Sequence, residues 1–329
     1  MRVPWGLRVP WGLQVPWGLL ALVAGTAAAM AAITPVDFAW TVYLTEHRWE
    51  PAVSVLRRTL FEGDAPGGSD VPIFAALALL YVYVRASAPR VRPELAQYRP
   101  WLGYMVVSLL AAGLGAVHAI KWVLGRARPY DVLAGAHLPF TPWYVTGPHF
   151  VTEGIYQGSF PSGHTAAAFT FMAVAYVLAG DPLLARRWRL TGWALGALTP
   201  LFSAAMTVAS AMSRSHWLSD AIGVVGLIWI LVHCLYFWGL RVPEQRRYAR
   251  AHGRPPPLAG RWELRLCLLG FPALLGLVGV GLGLRALTLE PRPYLAILVP
   301  VGVALVALTA PRMAALLRRL DRVLTRGPA

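Results

Sequence analysis

Long apolar segments, each near the length that crosses a bilayer as a helix, limit most strongly what this chain can fold into. A bilayer core about 30 Å thick needs roughly 20 mainly apolar residues per helix. Only 14% of the 329 residues are charged, against about 25% in an ordinary soluble domain. We therefore predict an all-α fold, a polytopic membrane helix bundle. The eight candidate spans are Trp17–Thr34, Val71–Ala86, Trp101–Leu124, Pro161–Gly180, Thr191–Met212, Trp217–Gly239, Leu264–Thr288 and Pro293–Ala310.

The net charge of +15 is carried mainly by arginines beside these spans. Short basic loops next to a span stay in the cytoplasm, and with eight spans every basic loop falls on one side. The basic stretches are Arg85–Arg99, Arg186–Arg189, Arg241–Arg265 and the tail from Arg312 to Arg326. We therefore predict a multi-pass cell-membrane protein with cytoplasmic termini, the connections 125–160 and 213–216 outside, and no nucleic-acid partner.

Two N-terminal segments leave alternatives open. A hexamer ending in Val-Pro-Trp-Gly-Leu occurs three times between Arg2 and Leu19. A proline every six residues opposes a long helix, which indicates a recent duplication or an over-extended start. The stretch Pro35–Leu60 mixes charges with aromatic residues, so it is either an amphipathic helix at the membrane surface or an irregular outer loop.

Three clusters of polar residues fall on the predicted outer side. The first contains Lys121, the only lysine among 30 basic residues, followed by Arg128 and Pro129. Because the other basic residues are all arginine, a lysine here indicates that the position requires an ammonium group. The alternative is a lysine at a helix end whose side chain extends to water to keep its charge solvated.

The second cluster, Phe160–His164, opens an apolar span. Free N–H groups at Ser162 and Gly163, together with the helix dipole, would bind an anion, and the lack of a side chain at Gly163 would let the anion approach. His164 could point into that site. The alternative is a helix cap with a solvated histidine.

The third cluster, Ser213–Asp220, opens the sixth span, Trp217–Gly239. His216 and Asp220 are four residues apart and would share one face of a helix. A carboxylate bonded to one imidazole nitrogen leaves the other free to attack. The alternative is a dipole-stabilised aspartate with an idle histidine. Cations, a helix N-terminus and two histidines on one side of a membrane are what phosphoryl transfer requires.

The order of these clusters resembles the type-2 phosphatidic acid phosphatase superfamily, which also includes vanadium haloperoxidases. The family pattern is Lys-x6-Arg-Pro, then Pro-Ser-Gly-His, then Ser-Arg-x5-His-x3-Asp. The first two parts match at Lys121–Pro129 and Pro161–His164, and the third matches at His216 and Asp220. The resemblance covers about Trp101–Gly239 and implies a six-helix core within residues 1–239. Residues 240–329 are then a basic loop with a two-helix extension.

The resemblance also implies the role of each group. His216 would attack phosphorus and form a phosphohistidine, Asp220 would orient it, and His164 would protonate the leaving group. No metal and no cofactor would be required. The phosphate would be held by Lys121, Arg128, Ser162 and Gly163.

One position departs from the family pattern. The arginine expected six residues before His216 is replaced by Ser210, and the nearest arginine is Arg214. On an ideal helix the two positions differ by about 40° and about 6 Å, a gap that a long side chain can cover. We therefore expect Arg214 to substitute as a phosphate ligand.

The sequence predicts a lipid phosphatase acting at the outer face of the inner membrane, and it does not choose the lipid phosphate. A phosphotransferase that passes the group to another lipid is a second enzymatic alternative. A non-catalytic transporter or scaffold that kept the motif is a third. A soluble haloperoxidase is disfavoured by the spans.

Overall fold

The structure is a computed structural model, and it confirms the all-α helix bundle. The residues it describes are 6–8, 14–59, 70–88, 93–133, 138–150, 153, 158–258, 261–289 and 292–326. Within these residues the only strands are Gly6–Arg8 (β1) and Gln14–Pro16 (β2), which pair antiparallel ahead of the first helix.

Helices account for nearly all the remaining secondary structure, and they are numbered in chain order. They are α1 Trp17–Ile33, α2 Asp37–Glu46, α3 Glu50–Val53, α4 Asp70–Ala86, α5 Pro93–Ala96, α6 Arg99–Val107, α7 Val117–Leu124, α8 Pro129–Leu133, α9 Gly163–Phe169, α10 Met172–Gly180, α11 Arg186–Met212, α12 Leu218–Cys234, α13 Val242–His252, α14 Trp262–Thr288 and α15 Leu298–Arg326. Three π-helical stretches, Ser54–Thr59, Ser108–Ala116 and Leu235–Gly239, and the 3-10 helix Pro293–Ile297 complete the set.

Six helical segments within the described residues are long and apolar enough to cross a membrane. The chain is therefore a multi-pass membrane protein. A seventh span results if α1 and α2, which are bent by 68°, are counted as one. The predicted second span is a shorter apolar helix, Phe74–Ala86.

The helices α9, α11 and α12 pack against one another and form the part of the bundle that positions the site. Small buried residues such as Ala166 and Ala168 let the neighbouring backbones approach, as is usual where lipid removes the hydrophobic drive between helices. The core between them contains Phe169, Val224 and Ile228, all fully buried.

The segment Pro35–Leu60 is helical over Asp37–Glu46, so the helical alternative is the one the structure shows there. The amphipathicity of α2 is inverted with respect to a soluble helix. Trp40 and Tyr43 are exposed, whereas Asp37 and Thr41 are buried.

Part of the basic loop predicted at the start of residues 240–329 is helical, because Val242–His252 forms α13. A proline in the first turn favours helix initiation, and the helix buries Arg246 through an ion pair with Asp181 at 2.8 Å. The eighth span also continues as a helix past Ala310 to Arg326.

The boundary near residue 240 between core and extension remains a prediction, and buried contacts cross it. Glu263 of α14 accepts hydrogen bonds from Arg99 at 3.0 Å and Tyr83 at 2.8 Å. Arg285, near the other end of α14, donates to the carbonyl of Gly147 at 2.7 Å. The C-terminal hairpin is therefore tied to the core at both ends of α14.

Candidate active site

Two histidines from separate helix ends meet at one point. His164 lies in the first turn of α9, and His216 lies in the turn between α11 and α12. Their ring centroids are 6.0 Å apart, with the planes inclined at 63°. A group bound between the rings would lie within reach of both, as shared acid–base and nucleophilic chemistry requires.

The imidazole of His216 is buried and held by a backbone carbonyl. Its Nδ1 lies 2.9 Å from the carbonyl oxygen of Ser159. Because a carbonyl oxygen only accepts hydrogen bonds, Nδ1 is the donor. The lone pair of the neutral ring is therefore on Nε2, the nitrogen that would attack.

The distance between His216 and Asp220 is longer than the predicted hydrogen bond, in which the carboxylate would accept from the imidazole N–H. Asp220 Oδ2 lies 3.5 Å from His216 Nδ1, beyond hydrogen-bond distance. The reason is that α12 begins only at Leu218, so His216 and Asp220 do not share a helical face. Asp220 caps the helix by accepting the N–H of Trp217 at 2.8 Å.

The second motif starts α9 as predicted, but the backbone N–H of Ser162 does not have the predicted anion-binding role. The hydroxyl of Ser162 caps the helix at Thr165. The N–H of Ser162 donates to the carbonyl of Asp220 at 3.1 Å, so this amide holds the two motifs together and is not available to an anion. At Gly163 a Cβ atom would meet nothing within 4 Å, which leaves open space in front of the backbone.

The two predicted cations come from the end of the third span. Lys121 is buried in the last turn of α7 and lies close enough to Arg128 and Asp220 to interact with both charges. Gly125 then ends α7 with a left-handed backbone, φ 56°, which turns the chain so that the half-buried Arg128 follows on the same side.

Arg214 does not lie on a helix, so the helical offset expected for it was wrong. The helix α11 ends at Met212, and Arg214 is exposed in the following turn with φ 60°. Its carbonyl accepts the N–H of Tyr130 at 3.0 Å, two residues from Arg128. The family position, Ser210, is buried and closes this turn by accepting the N–H of Ser215 at 3.1 Å.

Comparison with known protein families identifies the segment that contains these groups. Residues 101–243 match the family described as the PAP2 superfamily. This segment is a PAP2 superfamily domain. It contains all eight predicted site residues, from Lys121 to Asp220, so the predicted resemblance is confirmed for this segment. No curated protein and no solved structure matches the chain significantly.

The sequence did not predict the buried charge network behind the PAP2 site. Arg126 is fully buried and donates to Asp220 Oδ1 at 2.7 Å, to Ser219 Oγ at 2.7 Å and to Asp37 Oδ2 at 2.9 Å. A buried arginine needs this many partners to offset its desolvation. The one available signal was a polar residue every fourth position, Asp37, Thr41 and Thr45, in an otherwise apolar helix.

The PAP2 site is free of acidic metal-binding clusters in the part of the chain that the structure describes. No group of three or more histidine, cysteine, aspartate or glutamate side chains there is arranged to hold a metal ion.

Proposed function

We propose that this protein is a lipid phosphatase that hydrolyses a phosphomonoester or pyrophosphate of a lipid through a phosphohistidine on His216. The observation that carries the proposal is the 6.0 Å approach of the His164 and His216 rings. The hydrogen bond from His216 Nδ1 to the Ser159 carbonyl adds to it, because it directs Nε2 toward the substrate.

In the first step the Nε2 lone pair of His216 forms a bond to phosphorus. The bond from phosphorus to the lipid oxygen breaks, and protonated His164 donates its proton to that oxygen. The buried Asp220 carboxylate, 3.5 Å from His216 Nδ1, stabilises the cationic ring that forms. The dephosphorylated lipid leaves, and phosphate remains bonded to His216.

In the second step a water molecule replaces the lipid. His164, now neutral, accepts a proton from that water as its oxygen bonds to phosphorus. The bond from phosphorus to Nε2 breaks, the electron pair returns to His216, and inorganic phosphate is released. The cycle restores both histidines to their starting protonation states.

Phosphate oxygens would be held by Lys121, Arg128 and Arg214, with the space at Gly163 admitting one of them. The support for Arg214 is its position beside Tyr130 and its left-handed backbone. An L-residue in that conformation is strained by roughly 1 kcal/mol, and such strain is typical of functional positions. Ser162 would contribute by capping α9 rather than through its amide.

The lipid nature of the substrate is supported by an apolar cavity of 570 Å³ between α1, α11 and α12. It begins at Leu218, two residues from His216, and extends to Trp229. The distance along α12 is about 16 Å at 1.5 Å per residue, which is close to the thickness of one leaflet. The active-site face is the extracytoplasmic one if the basic stretches stay inside.

The decisive experiment measures phosphate release from a panel of lipid phosphates by the purified wild type and by His216→Ala. We expect release by the wild type from at least one lipid and near-complete loss in the variant. Equal turnover by both proteins would exclude a histidine nucleophile at this position. Phosphorylated acceptor lipid in place of free phosphate would show a phosphotransferase, and full biological function of His216→Ala would indicate a transporter or scaffold.

A further inference from the structure

The N-terminal helix α2 lies outside the PAP2 domain and presents its polar side to the site. Asp37, Thr41 and Thr45 follow one another at intervals of four residues, so they share one face, which we call the capping face of α2. All three are buried, whereas Phe38, Trp40 and Tyr43 on the other sides are exposed. Burying a polar group costs free energy unless the group is hydrogen-bonded. The hydrogen-bond partners of these three residues therefore indicate the role of the capping face.

The capping face contacts both helices that flank the turn carrying His216. Asp37 accepts the N–H of Ser219 at 3.0 Å and its hydroxyl at 2.5 Å. Thr41 accepts the N–H of Leu218 at 3.4 Å. These two N–H groups are in the first turn of α12, where a helix leaves its donors unsatisfied.

The third residue of the face reaches the helix before the turn. Thr45 Oγ1 donates to the carbonyl of Thr41 within α2 at 2.8 Å and lies 3.3 Å from the carbonyl of Ala211, in the last turn of α11. The Ala211 carbonyl also accepts the N–H of Arg214 at 2.9 Å, so Thr45 adds a second contact at the end of α11. The capping face therefore contacts both the end of α11 and the start of α12. The turn 213–217, which contains His216, connects these two helix ends.

Asp37 also belongs to the charge network of the site. Arg126 bridges Asp37 and Asp220, so these three groups carry a net charge of −1. If Asp37 loses its charge, Arg126 becomes the counterion of Asp220 alone. The negative potential at His216 then weakens, and the cationic form of its ring becomes less favourable.

We propose that Asp37, through the capping face of α2, is a positioning residue for the catalytic His216. The inference rests on the proposed phosphatase function and extends the site to a helix that the family match does not include. Asp37 does not touch the phosphate; it holds the start of α12 and sets the charge opposite Asp220.

The test compares Asp37→Asn with Glu46→Gln, which removes the same charge from an exposed position on the same helix. Small misplacements of a reacting group cost up to about 10²-fold in rate, and we expect a fall of about tenfold in kcat for Asp37→Asn. KM should stay within about twofold, because the phosphate ligands are untouched. The acidic limb of the kcat/KM profile should move to lower pH, an effect that loss of packing alone would not produce.

Thr45→Val provides a milder variant that removes one hydroxyl without changing charge, in case Asp37→Asn does not fold. It should lower kcat with little change in KM or in the pH profile. If each folded variant has the kcat, KM and pH profile of Glu46→Gln while the wild type is active, the positioning role is wrong and the phosphatase function stands.

Absence of phosphate release by the wild type would instead overturn the proposed function, and a second measurement then decides the role of Asp37. Carbethoxylation of histidines by diethyl pyrocarbonate is followed by mass spectrometry. The inference predicts faster labelling of His216 in Asp37→Asn than in Glu46→Gln, with His118 unchanged. Equal labelling of His216 in the two variants would overturn it.

Discussion

At the scale of single residues, Gly163 is a position where a side chain should affect substrate binding without affecting folding. A Cβ atom there meets no protein atom within 4 Å, and a methyl group would occupy the space assigned to the phosphate. We predict that Gly163→Ala folds with an unchanged melting temperature and that kcat/KM falls at least about tenfold, which is about 1.4 kcal/mol of transition-state binding.

Gly196→Ala is the matched control for Gly163→Ala, because a Cβ at Gly196 meets only Ala175 Cβ, at 3.7 Å, an ordinary van der Waals contact. The residue lies in α11, about 24 Å along the helix from its end at Met212. It should have wild-type stability and activity. Wild-type kcat/KM in Gly163→Ala would show that no ligand approaches this backbone.

For Arg214 we predict that one substitution lowers activity without lowering stability. Glycine adopts φ 60° without the penalty of an L side chain, so Arg214→Gly should unfold with a free energy equal to the wild type or up to about 1 kcal/mol higher. If the guanidinium holds phosphate, phosphate release should fall in the same variant.

Arg241→Gly is the control for Arg214→Gly, since Arg241 also has a positive φ, of 50°, and lies at the start of α13, away from the site. It should retain full phosphate release. Unchanged turnover in Arg214→Gly would remove Arg214 from the phosphate-binding set.

Part of the site was predictable because each motif is local in sequence. The residues Lys121, His164 and His216 follow from short motifs at helix ends. Asp37 could not be found in that way, because its partner Ser219 is 182 residues distant. The carbonyl that orients His216 belongs to Ser159, and a backbone group has no sequence signal.

At the scale of secondary-structure elements, the end of α7 determines where the cations after Lys121 point. Gly125 has a left-handed backbone, and a Cβ there would lie 1.8 Å from the carbonyl oxygen of His149. We predict that Gly125→Ala loses most of its folded protein, because the conformational cost of roughly 1–2 kcal/mol is added to a clash with backbone. Thermal unfolding in detergent measures the loss.

Gly253 provides the control for this element. It ends α13 with φ 66°, and a Cβ there meets nothing within 4 Å. Gly253→Ala therefore carries the conformational cost without the clash. Equal melting temperatures for the two alanine variants would show that the approach of His149 to α7 does not matter.

The helices were predictable from apolar length, and the connection predicted at 213–216 agrees with the turn between Met212 and Leu218. The shared helical face of His216 and Asp220 was not correctly predicted, because His216 lies in this turn. Competition from side-chain caps decides such ends: Asp220 binds the N–H of Trp217 and so starts α12 after His216.

At the scale of the whole molecule, sidedness follows from the charge of the loops. The stretch Arg186–Arg189 is basic and lies at the opposite end of α11 from the turn with His216. We predict that reporters fused after Gly180 read cytoplasmic and that reporters in the loop 126–160 read external. The reverse pattern would move the site to the cytoplasm and exclude substrates confined to the outer leaflet.

Six of the eight predicted spans correspond to helices in the described residues that are long and apolar enough to cross a membrane, because bilayer thickness acts on whole segments. The contacts that join the segments could not be predicted in this way. Arg285 reaches Gly147 over 138 positions, and Arg99 reaches Glu263 over 164. These pairs are fixed only when all the helices have packed.

The most direct test of the central claim is to trap the covalent intermediate. The wild type is mixed with a lipid phosphate that it hydrolyses, quenched rapidly at alkaline pH and analysed by mass spectrometry for phosphorylated histidine. We predict phosphate on His216, absent from His216→Ala. Phosphate on another residue, or turnover with no phosphorylated histidine at position 216, would contradict the account.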